Sequence, residues 1–177
     1  MKQIAMACVL LLVGSIADAQ APAQQVDVSF VNEAVVNAPI QDVWRMWSTS
    51  DGYKALGVAL ADVDLRIGGL IRSRYSPNGA LGDEQTIENE ILAFEPPRMI
   101  AIRIHRPPAD FPFKQAWKRT WTVVTLTELD GRRTQVRAAS LGYGNDQESL
   151  AMRRFFERGN DQTLKTLMSH FERRRAQ

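Results

Sequence analysis

Beyond Cys8 the chain has no cysteine, so disulfides are excluded and stability must come from an apolar core. It has two histidines, His105 and His170. Neither has a second His or a carboxylate at zinc-motif spacing, so no metal site is expected. Charge of one sign is also scarce: 22 Lys and Arg face 20 Asp and Glu, a net +2. That is too mild to imply nucleic acid. Long apolar runs are missing as well. The longest, Ile4 to Ile16, falls short of the roughly 20 residues that span a bilayer as a helix. No Gly-x-Ser-x-Gly is present, and Gly68-Gly69 lacks both the Gly-x-Gly-x-x-Gly pattern and a following helix, which excludes a phosphate cradle.

What is there begins with Lys2, the short apolar run, and Ala17-Asp18-Ala19. A basic start, a short apolar core and a small-x-small site form a secretory signal. Residues 1–19 are expected to be a cleaved signal peptide, with the cut after Ala19, and residues 20–25 a flexible leader. The protein would then be exported, to the periplasm or beyond, with no membrane span in the mature chain. Cleavage removes Lys2 and Asp18 and keeps the charge at +2. The remaining length suits one domain, over 26–177.

Along that domain, "VDVSFVNEAVVNA" alternates as a first strand. Pro39 then opens a helix, with Ile40, Val43, Trp44 and Trp47 at helical spacing. "TSDGYKALG" reads as a second short helix or turn. Strands are expected in "VALADVDLRI", "GLIRSRY", "EQTIENEILAFE", "RMIAIRIH", "AWKRTWTVVTLTEL" and "TQVRAASLGY". The last two form a hairpin around Asp130-Gly131. "RPPADFPFKQ" is a long loop. From Gln147 to Arg174 no proline occurs and apolar residues recur at helical spacing, which predicts one long helix. A block of strands with helices at its ends is the pattern of an α+β fold with an antiparallel sheet packed on a helix.

Several residues could carry chemistry. Asp62 and Asp64, and likewise Glu88 and Glu90, share a strand face. Strand parity puts Ile87, Asn89 and Ile91 inward and the glutamates outward. Val136, Ala138 and Ser140 share a face of small side chains, which either leaves room for a ligand or packs tightly on the helix. Met152, Phe155, Phe156, Gly159, Thr163 and Leu167 can form one helical stripe. A glycine inside it costs about 1 kcal/mol relative to alanine, so it marks a close strand approach or open space beside it. Phe111 and Phe113 either cap a pocket or tuck into the core.

The order of elements resembles the helix-grip fold of the START-like, or SRPBCC, superfamily. "VVNAPIQDVWRMWS", "DLRIGG", "ILAFEPPRMIAIRI" and "GRRTQVRAASLGYG" resemble, in order, elements of the branch named after the activator of Hsp90 ATPase. The resemblance runs from about Asp27 to Phe171. It implies a curved antiparallel sheet wrapped around the C-terminal helix, with a cavity between them that holds an apolar molecule. The chain departs from the branch twice. Asn160 stands where a tryptophan is common after Gly159, and Ser140 stands where the last strand often carries a histidine. The signal peptide argues against a co-chaperone role.

The expected function is an exported protein that binds a small apolar or amphipathic ligand, without cofactor or metal. The cavity candidates are Asn89, Ile91, Ile102, Phe111, Phe113, Val136, Ala138, Ser140, Met152, Phe156, Gly159 and Thr163. Two alternatives stand beside it. One is a cyclase- or dehydratase-like enzyme using the same cavity, with Asn89, Ser140, Arg72 or Tyr143 at work. The other is a protein-interaction module.

Overall fold

The alternation of the first Val-rich run becomes strand β1 (Val28–Val36) in the computed structural model, which describes residues 28–175. The expected signal peptide and leader lie outside the described residues. Pro39 precedes α1 (Ile40–Ser48), whose Val43, Trp44, Met46 and Trp47 are buried. Thr49 separates it from α2 (Ser50–Ala55) and accepts the Gly52 N–H on its side chain at 3.0 Å, a side-chain cap for the helix start.

Six more strands follow: β2 (Leu60–Val63), β3 (Leu70–Arg74), β4 (Ile87–Glu95), β5 (Met99–Arg106), β6 (Trp121–Glu128) and β7 (Thr134–Tyr143). The last element is α3 (Gln147–Arg175), 29 residues or roughly 43 Å. The strands form one antiparallel sheet in the order β1-β7-β6-β5-β4-β3-β2. The chain is therefore an α+β helix-grip fold, with a curved sheet wrapped around the long C-terminal helix.

Two strands fall well short of their sequence patterns. β2 stops at Val63 because the chain turns at once: Arg66 N–H donates to Asp64 O, and Gly69 N–H to Arg66 O. The Gly-Gly pair serves this turn. Gly68 has φ +75°, a left-handed conformation that glycine adopts freely. A Cβ on Gly69 would sit 2.1 Å from the Asp64 carbonyl oxygen. Gly68 and Gly69 also exchange bonds with Ile91 of β4, at 2.8 and 2.9 Å, so the link is stitched to the sheet. The second shortened strand is β6. Ala116–Arg119 form a 3-10 turn instead, with Ala116 buried among aromatics. Thr120 closes that turn by bonding back to Trp117 O through its N–H and its hydroxyl.

The main core lies between the sheet, α1 and the C-terminal half of α3. Val36, Val43, Ile71, Ile91, Val136 and Leu167 are fully buried there. Each such side chain contributes about 1.5–3 kcal/mol relative to exposure. A smaller cluster gathers Phe30, Phe111, Ala116, Tyr143 and Met152 at the start of α3. The helix packs along β1 and β7. That off-centre seat leaves open space between α3 and strands β3 to β6.

Candidate functional site

The open space is a cavity of about 450 Å³. Its floor is the concave face of the sheet, with Ile102 and Ile104 of β5, Val124 of β6 and Ala138 of β7. Its roof is α3, through Phe156, Asn160, Thr163 and Leu164. Trp47, Tyr53 and Leu56 close one side. Exposed lining residues, among them Tyr75, Asp110, Pro112, Trp121 and Phe155, mark the mouth.

Six of the twelve sequence candidates line this cavity: Asn89, Ile102, Phe111, Ala138, Phe156 and Thr163. The other six do not, each for a packing reason. Ile91 and Val136 point inward but are sealed in the main core. Met152 is sealed in the smaller cluster, where Phe113 packs half-buried against it. Ser140 lies behind two neighbours, Thr122 and Asn160, that bond to it. Gly159 is on the solvent side of α3, and a Cβ there would meet nothing within 4 Å. The inward stripe of α3 is in fact Met152, Phe156, Asn160, Leu164, Leu167 and Phe171, stepping by four or three.

The loop aromatics both cap and tuck. Phe111 is buried and lines the cavity, and its ring lies 5.3 Å from Phe113, 6.2 Å from Phe155 and 6.1 Å from Phe156. This cluster forms one jamb of the mouth, in the edge-on contacts that aromatic quadrupoles favour. The loop is latched to the first turn of α3. The Glu148 carboxylate accepts the N–H groups of Lys114 and Gln115, and Asp146 pairs with Arg119.

Two sets of polar groups stand in or just behind the cavity wall. In the first, Asn160 donates to Ser140 at 3.2 Å and the Ser140 and Thr122 hydroxyls share a bond of 3.3 Å. These groups are committed to one another. In the second, Ser73, Asn89 and Tyr53 make no side-chain hydrogen bond among the described residues. None of them is among the sealed polar atoms that lack a partner, so each opens on the cavity. Burial pushes the Tyr53 phenol above its ordinary value, with a smaller push from Tyr75. Burial does the same to Tyr143, partly offset by the neighbouring Ser140 hydroxyl. Both phenols therefore stay neutral donors.

The carboxylates are elsewhere. Asp62, Arg72, Glu88 and Arg106 sit opposite one another on β2, β3, β4 and β5 and form a ladder on the convex face. Hydrogen bonds from Arg106 hold the Glu88 carboxyl below its ordinary range. Glu90 pairs with Arg103, and Asp64 with Arg66. None of these carboxylates lines the cavity, and neither does Arg72. Among the described residues no His, Cys, Asp and Glu side chains gather as a metal site, and no helix is long and apolar enough to cross a membrane.

Sequence reading missed Trp47, Tyr53 and Ser73. They come from three elements, and no local pattern joins them. It did single out Asn160 and Ser140 as departures from the branch, and that was the available signal for their pairing.

No curated protein matches the chain significantly. Many solved structures do. Protein MLL2253 from Mesorhizobium loti superposes with a TM-score of 0.64 at 17% identity, covering 82% of this chain and 98% of that one. The Aha1 protein of Colwellia psychrerythraea, solved as a dimer, gives 0.60 at 13%, covering 82% and 96%. Protein NE0264 from Nitrosomonas europaea gives 0.61 at 17%, covering 84% and 97%. At these identities the likeness speaks for the fold alone. The sequence itself goes further: with residues 37–172 matching its pattern, the chain belongs to the family described as Activator of Hsp90 ATPase homolog 1-like protein, within the SRPBCC superfamily.

Proposed function

We propose that this protein binds a small amphipathic molecule in the cavity between sheet and helix, and that it does so after export. Family membership supports a ligand-binding or interaction module in general. The observation that carries the finer reading is the cavity, about 450 Å³ with a mostly apolar lining. That lies within the range of small-molecule sites, roughly 300–1,000 Å³. Export rests on the basic, apolar and small-residue order of residues 1–19.

Native mass spectrometry of the purified protein, followed by a panel of lipids and aromatics, tests the binding. A bound mass in the native state, or saturable binding of one panel class, is the expected result. A bare protein that takes up no member of the panel would sink the reading. Export is tested separately, by sequencing the N-terminus of protein recovered outside the cytoplasm. A start at Gln20 is expected, and an intact Met1 in the cytoplasmic fraction would overturn it.

A further inference from the structure

The second polar set has a chemical consequence, which rests on the cavity being a ligand site. Ser73 on β3 pairs with Ile87, and Asn89 on β4 pairs with Ile71. The two are therefore diagonal neighbours on the concave face, about 7 Å apart. Ser73 is only 3% exposed, yet its hydroxyl is neither bonded among the described residues nor sealed from the cavity. Tyr53 of α2 lines the same cavity and carries a third uncommitted hydroxyl. An amide alone offers two donors and an acceptor oxygen. Polar groups left without partners in an apolar enclosure are costly, so this corner fits a polar partner. The opposite set, Asn160, Ser140 and Thr122, already bonds within itself and ties helix to sheet.

Charge decides what that partner is. Among the described residues only two charged ones line the cavity, Arg103 and Asp110. Arg103 lies outward between the inward Ile102 and Ile104, and its guanidinium is held by Glu90 at 2.8 and 2.9 Å. Asp110 is exposed at the mouth. Among the described residues no cation is free beside Ser73 and Asn89 to meet an anion. A buried carboxylate or phosphate without a counter-charge is strongly disfavoured.

We propose that Ser73, Asn89 and Tyr53 form a docking corner for an uncharged hydrogen-bonding head, a hydroxyl, carbonyl or amide, on an otherwise apolar molecule. The apolar body then lies along Ile104, Ile102 and Val124 towards Phe156. Anionic amphiphiles such as ionised fatty acids are selected against.

The test displaces the neutral apolar dye Nile red from the purified full chain. Decanol and decanoate, matched in chain length, compete at a pH where the carboxylate is ionised. Decanol should compete about tenfold better or more. Decanoate should gain affinity as acid protonates it. Asn89→Leu, close to isosteric, should bring the ratio towards one, and Ser73→Ala should move it the same way if the first variant fails to fold. Arg72→Gln, on the convex face, should leave the ratio unchanged. Equal or better binding of ionised decanoate would overturn the docking corner while leaving the cavity a ligand site. No uptake of dye or of either competitor would overturn both.

Discussion

Asn160 of α3 donates its amide N–H to the Ser140 hydroxyl of β7 at 3.2 Å. These are the two positions at which the chain departs from the pattern of its branch, and they are each other's partners. A long helix is thereby pinned to the last strand through a polar contact beside an apolar cavity. Ser140→Ala removes an acceptor from Asn160 and a partner from Thr122, and should cost about 1–2 kcal/mol. Asn160→Leu should cost a similar amount. In the double variant the losses should fall short of their sum by about 0.5–1.5 kcal/mol. Urea unfolding of the four proteins measures this coupling, and strict additivity would mean that the contact carries no weight.

Gly159 offers an opposite effect. It sits on the outer face of α3, its φ is not positive, and an added Cβ would meet nothing within 4 Å. Gly159→Ala should therefore stabilise the protein by about 0.5–1 kcal/mol, through helix propensity and a less disordered unfolded chain. Thermal and urea melts report the change, and ligand uptake should not move.

Ala138 tests the floor of the cavity. It lines the open space beside Val124. Ala138→Leu should occupy that space and lower the uptake of Nile red several-fold, while stability changes by no more than about 1 kcal/mol because the new side chain enters a void. A stability loss well above that, with dye uptake intact, would show that the floor is close-packed.

Acid should act on the start of α3. The Asp146 carboxylate accepts the Ser149 N–H at 2.9 Å, the Ser149 hydroxyl and a bond from Arg119. These bonds, the backbone one first, lower its pKa from the ordinary 3.8 to about 2. A depressed acid contributes stability that is complete above its unfolded pKa and is lost as pH falls through the folded value. The loss should therefore run from near 3.8 down to about 2. Melting temperatures measured from about pH 5 to about pH 2 should fall less steeply for Asp146→Asn than for the parent.

The fold was legible because its signals are periodic. In "RMIAIRIH" the strand period puts Ile100, Ile102 and Ile104 on one face, and that face is the cavity floor and its neighbouring core. Parity on β4 also turned Glu88 and Glu90 outward, where Arg106 and Arg103 meet them. The helix was harder. Asn160 lies in the inward row between Phe156 and Leu164, and a polar residue there broke the apolar pattern. The stripe therefore looked as though it ran through Gly159, about a hundred degrees away around the helix. Ser73 and Tyr53 left no trace at all. A corner built from a strand, a neighbouring strand and a short helix exists only after the sheet curls, and no window of sequence contains it.

The latch at the start of α3 has a kinetic consequence. Glu148 and Asp146 hold the segment between Lys114 and Arg119 against the helix, and Asp146 also accepts the Ser149 N–H on its carboxylate and the Leu150 N–H on its carbonyl. Any motion that widens the mouth on that side must break the bonds from Lys114 and Gln115 to Glu148 and from Arg119 to Asp146. Escape of a bound molecule and deuterium uptake at the Lys114 and Gln115 amides would then keep the same time, and a ligand's residence could be read from the backbone without labelling the ligand.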